Sequence, residues 1–256
     1  MISMTPMVVI SGSVWPVFVS MGVFNSIFSM ISNGLSLWSF LSVVVLIILI
    51  LGWSMDTGFE VKYLGFMTCF DKGFMTVGVV LVILFEVMLF FGMFWYLIQV
   101  SIEGALSLGY VWSSPGIDNV DVMEVPLMIS VILLSSGVTV TWAHSSMFMG
   151  SAVEFYFSYM MTVLLGVFFM VIQYFEYSGL WFTLSGGVVS SIFYILTFTH
   201  GMHVLLGVMS NSIALIMSSS SSIPISFLGV EVVMWYWHFV DVVWLMLFVL
   251  LYWLNL

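Results

Sequence analysis

The chain has 256 residues, of which 63% are hydrophobic, 18% aromatic and only 5% charged. Soluble domains carry about 25% charged residues, so an ordinary water-soluble fold is excluded and lipid is the expected solvent. Twelve acids stand against two lysines, Lys62 and Lys72, with no arginine, for a formal charge of −10; this excludes nucleic acid as a partner, because phosphates are neutralised by basic side chains.

The N-terminal MISMTPMVV lacks the basic region of a secretory signal, and the absence of arginine argues against a cleaved transit peptide. Seven apolar stretches follow: Trp15–Ser32, Leu37–Trp53, Gly73–Ile102, Pro126–Met149, Val153–Tyr177, Val188–Met217 and Gly229–Leu254. A spanning helix needs about 20 apolar residues, so the pattern predicts an all-α, polytopic bundle of about seven transmembrane helices. The third and sixth stretches are long enough to tilt or protrude. Asn33-Gly34, the acidic loop Ser113–Pro126, Ser178–Gly187 and the serine-rich Ser218–Gly229 separate the spans. None is long enough for a separate domain, so residues 1–256 read as a single membrane domain, with helices one and two in 1–70 and five helices in 71–256. Both lysines fall between spans two and three, which places that loop and the N-terminus on the matrix or cytoplasmic side and the C-terminus opposite. Abundant Phe, Trp, Val, Gly, Met and Leu favour U- and G-rich codons, as in a skewed organelle genome. The lone Cys69 excludes an intrachain disulfide and any multi-cysteine metal site.

Five ionisable groups read as deep: Glu86, His200, His203, His238 and Asp241. Charge at the bilayer centre costs at least about 2.5–3.5 kcal/mol, so each should face protein, water or ligand. Glu86, midway along span three, is either a proton-exchanging carboxylate or a protonated acid that ties two helices together. His200 and His203 stand at i and i+3 on one face. Interhelical hydrogen bonding is expected of them rather than a metal, because only Glu86 is deep enough to complete a carboxylate-rich site. Thr197 and Gly201 form a small surface for close helix approach. His238 and Asp241, also i and i+3, are expected to pair with each other among Trp235, Trp237 and Trp244 and to fix the rotation of the last helix. His144 ends span four with no partner visible.

These same stretches resemble subunit III of the mitochondrial haem-copper oxidases. WYWHFVDVVW is similar to that family's most recognisable segment. EVMLFFGMFW, WSSPGI with MEVPL, SGVTVTWAHSSM, QYFEY and FTHGMHVLLG follow in the family's order, from about Glu86 to Trp253. The first 70 residues match weakly, mainly through Trp15-Pro16 and Trp53.

The resemblance implies an accessory core subunit of complex IV in the mitochondrial inner membrane, with the N-terminus in the matrix and the C-terminus in the intermembrane space. It implies two helices splayed from the other five, with phospholipid in the cleft between them. It further implies no redox metal in this chain, with haem a and copper held by partner subunits. Subunits I and II and accessory subunits become the expected neighbours, and cytochrome c a partner of the whole complex. No residue of this chain is then catalytic; the subunit supports proton uptake and the durability of subunit I, and the family's buried carboxylate of helix three falls on Glu86. The composition agrees on metal, since one cysteine and four histidines cannot build an oxidase's full ligand set. The resemblance places the lipid site at Trp53, Glu60 and Lys62. There the sequence departs from the family, because Met55 and Phe59 replace arginines and another is missing near Ile216–Ser218. A competing reading is a stand-alone proton-coupled transporter that uses Glu86 and Asp241.

Overall fold

The computed structural model describes residues 13–34, 36–59, 69–107, 122–180, 182–219 and 227–253. Among them, seven helices are long and apolar enough to cross a membrane. Backbone packing divides the chain into two compact units, Met1–Met75 and Thr76–Leu256.

The first unit is built on α1 (Trp15–Asn33) and α2 (Leu37–Phe59). Proline in the first turn starts α1, where its missing N–H costs nothing. Gly34, at φ 59°, turns the chain. Ser36 and Ser39 then cap α2 reciprocally: each backbone N–H donates to the other's hydroxyl, at 2.9 and 3.4 Å. The two helices run antiparallel. Ser29 meets Ser42 at 2.7 Å, Gly22 lies under Leu46 and Leu49, and Gly52 lies under the Trp15 ring. Small residues let the backbones approach where no water drives association. At the far end Trp15 Nε1 donates to Asp56 Oδ2 at 2.9 Å.

The 39-residue α3 (Cys69–Ser107) leads into the second unit. At 1.5 Å per residue it is about 58 Å long, well beyond the hydrocarbon thickness of about 30 Å. It begins before the predicted span and takes Lys72 into its first turn, so that lysine is helical rather than in a loop. Four helices follow: α4 (Val125–Met149), α5 (Ala152–Gly179), α6 (Val188–Ser219) and α7 (Phe227–Leu247), the last continued by a π-helical turn, Phe248–Trp253. Gly150, at φ 74°, ends α4 in the left-handed conformation. Its N–H and that of Ser151 return to the carbonyls of Met147 and Ser146. Helices α4 to α7 pack in a ring, each on the next, with α7 returning to α4.

Trp237 and Trp244, both fully buried, fill the centre of that ring. Room for Trp237 comes from two glycines. A Cβ on Gly166 of α5 would stand 2.7 Å from the indole, and one on Gly207 of α6 would stand 2.8 Å from it. The expected close-packing glycine, Gly201, is not one of them: nothing lies within 4 Å of the place its Cβ would take. Six residues, about one and two-thirds turns, separate Gly201 from Gly207, which puts them on different faces of α6. Helix α3 joins the ring through larger side chains. Phe90 and Leu97 are buried, and Phe90 packs 5.1 Å from the His203 ring and 6.3 Å from that of Phe239.

Candidate functional site

Glu86 lies mid-span on α3. Its Oε2 stands 2.9 Å from His203 Nε2 on α6. The second ring nitrogen decides the chemistry of this contact. His203 Nδ1 lies 2.7 Å from the carbonyl oxygen of Thr199, one turn earlier. A carbonyl only accepts, so Nδ1 carries a proton. A neutral His203 then offers Glu86 a lone pair, and Glu86 must itself be the protonated partner. A doubly protonated His203 donates instead, to a carboxylate. One proton therefore lies on the Oε2–Nε2 line in either case, and the pair stays neutral overall, as a membrane interior demands.

His200, one turn earlier, does something different. Its ring is fully buried, packed edge-on to Phe169 and tilted 5.1 Å from Trp244. Its Nε2 is 3.2 Å from the Val240 carbonyl and donates to it, which ties α6 to α7. The two histidines thus turn Nε2 to different neighbouring helices, His203 to α3 and His200 to α7, although they share one helical stripe. Among the described residues no group of three or more His, Cys, Asp or Glu is placed to hold a metal ion.

His238 and Asp241 do not form the expected hydrogen bond. Nδ1 and Oδ2 are 3.9 Å apart, beyond hydrogen-bonding distance. Three residues of helix turn the two side chains about 60° apart, so Asp241 points into the ring and His238 to its outside. The Asp241 carboxylate enters the space left by Gly137 of α4, where a Cβ would be 2.7 Å from Oδ2, and its Oδ1 is buried without a partner. Rotation of α7 is instead set by the tryptophans: Trp237 Nε1 donates to Ser136 Oγ and Trp244 Nε1 to Ser130 Oγ, each at 3.0 Å. Glu86 and Asp241 face different helices, α6 and α4, so the two acids of the transporter reading are not joined. His144 lies 3.9 Å from Glu231 Oε1.

Sequence reasoning passed over Glu176. It is buried near the end of α5, accepts a hydrogen bond from Tyr252 Oη at 3.0 Å, and leaves Oε2 unpartnered beside an equally unpartnered Gln173 amide. The available signal was the three-residue spacing of Gln173 and Glu176, which puts both on one face of α5. Trp53, the described member of the expected lipid site, is half-buried on α2, whereas Glu60 and Lys62 lie outside the described residues. Asp56 Oδ2 accepts a hydrogen bond from the Trp15 indole.

A family model described as cytochrome c oxidase subunit III matches residues 5–256. The chain belongs to that family. Cytochrome c oxidase subunit 3 of Pisaster ochraceus is 38% identical over 233 residues, which cover 88% of this chain and 90% of the relative. The subunits 3 of Myxine glutinosa and of Yarrowia lipolytica are 33% and 32% identical, covering 95% and 97% of this chain and 95% of each relative. A member of the subunit III family is part of a respiratory oxidoreductase complex, and here it is a multi-pass membrane protein.

Proposed function

We propose that this chain is an accessory core subunit of mitochondrial cytochrome c oxidase that takes part in the complex through a proton-holding pair rather than a redox centre. It lies in the inner membrane beside subunits I and II, with its N-terminus on the matrix side and its C-terminus in the intermembrane space. Haem a and copper reside in the partner subunits, and cytochrome c docks on the complex as a whole. In this reading Glu86 and His203 support proton uptake by subunit I. The contact between Glu86 Oε2 and His203 Nε2 carries the reading, because it holds one exchangeable proton at mid-membrane depth between two helices. A proton can pass along that line without a net charge ever appearing in the hydrocarbon. Phospholipid, held near Trp53, Glu60 and Lys62, completes the subunit; lysine positions a phosphate less rigidly than the family's arginine.

The test is Glu86→Gln in the assembled oxidase. Glutamine keeps the shape and the capacity to meet His203 but cannot titrate. Assembly is expected to be normal, with slower turnover or faster inactivation during oxygen consumption. Wild-type kinetics across a broad pH range would leave the pair a structural tie only.

A further inference from the structure

Among the described residues, the outer face of α7 leaves Trp235, Val242 and Leu245 exposed, and it is not uniformly apolar. Glu231, Trp235, His238, Val242 and Leu245 recur at steps of four, three, four and three residues. That heptad spacing aligns side chains into a seam that a second helix can follow. Trp235 is 38% exposed, Val242 55% and Leu245 38%, and the His238 side chain is 44% exposed.

Lipid is a poor occupant for this face. His238 comes ten residues after Leu228 in a span that ends at Trp253. At 1.5 Å per residue it stands about 15 Å from one end and about 22 Å from the other. Headgroups do not reach that depth, and acyl tails offer an imidazole no hydrogen bond; ionisable groups in a membrane face protein or water instead. Among the described residues no hydrogen bond reaches the ring; Asp241 Oδ2 approaches Nδ1 only to 3.9 Å. The other titratable groups on this flank are Glu231 and His144 of α4, which face each other at 3.9 Å. With Nδ1 directed toward Asp241, Nε2 is the nitrogen that faces outward.

We propose that the Trp235, His238, Val242 and Leu245 face of α7 seats a transmembrane helix of a neighbouring polypeptide, which presents a hydroxyl or side-chain amide to His238 Nε2 at mid-membrane depth. A hydroxyl or a side-chain amide suits the place, because either can donate to or accept from Nε2 whichever ring nitrogen of His238 carries the proton. The proposal rests on the reading of the chain as one subunit of a membrane complex and names the face through which it binds a neighbour.

Photolabelling in native membranes tests it. An apolar diazirine is dissolved in the bilayer and activated, the complex is purified, and labelled residues are mapped by mass spectrometry. Trp235, Val242 and Leu245 are expected to label at a tenth or less of the level of the most strongly labelled residue in the chain. Labelling at the full lipid-facing level overturns the proposal. In a second arm, His238→Leu should lower incorporation of the chain into the complex, and His238→Gln, which restores a hydrogen-bonding group, should recover it. Equal incorporation of both variants removes the hydrogen bond from the proposal even if the face is protected. Absence of haem a from the purified particle would count against the oxidase reading alone, since protection of the face reports a neighbour whatever that neighbour is.

Discussion

At the scale of single residues, the membrane interior makes every polar atom a commitment. Trp237 and Trp244 each bury an indole N–H, and each finds a serine of α4. Removing the acceptor leaves the donor with nothing, at a cost of about 1–3 kcal/mol. Ser136→Ala is therefore expected to lower the thermal stability of the subunit in the solubilised complex, whereas Ser135→Ala, whose hydroxyl only returns to the Ile132 carbonyl of its own helix, should not. The same argument applies to the pair that went unrecognised. Tyr252→Phe strips the Glu176 carboxyl group of the hydrogen bond from Tyr252 Oη, and a loss of about 1–3 kcal/mol is expected. Melting of the variant complex measures it, and an unchanged midpoint would mean that Glu176 has a second donor. Sequence could name Glu86 and His203 separately as buried and polar, but not as a pair. They are 117 residues apart, and periodicity reports which face a residue occupies, not which helix lies opposite.

At the scale of helices, glycine position carries the packing. Gly166→Ala should push the Trp237 ring and Val208 aside, because the new Cβ would fall 2.7 Å from both. Overpacking of this kind costs about 1–3 kcal/mol. Gly201→Ala meets open space and is expected to be neutral or to gain up to about 1 kcal/mol from helix propensity. Comparing the melting of the two variant complexes checks both expectations; equal destabilisation would mean that the tryptophan is not seated on these glycines. Helix positions themselves were legible, because seven runs of apolar residues separated by turn signals leave little freedom. The heptad relation of Trp237 and Trp244 was also visible. That their partners are Ser136 and Ser130 was not, since serines occur throughout the spans and hydroxyls satisfy themselves on their own helix. His238 and Asp241 approach to 3.9 Å without a hydrogen bond for a related reason. Spacing of i, i+3 brings Cβ atoms near each other, but the ring of helices divides that stripe between inside and outside.

At the scale of the molecule, most of the large apolar side chains on α1, α2 and α3 remain exposed. In a membrane such a surface faces lipid or protein rather than water. The composition announced a membrane bundle, and the WYWHFVDVVW segment announced the family. Neither can show what surrounds the bundle, because contacts between chains leave no periodicity in one of them. The most direct measurement is gentle detergent extraction of the chain from its native membrane, purification, and an absorption spectrum of the particle with quantitation of the chain against haem. The account predicts haem a bands and one copy of the chain per oxidase. A monodisperse, colourless protein that moves substrate in liposomes would contradict it.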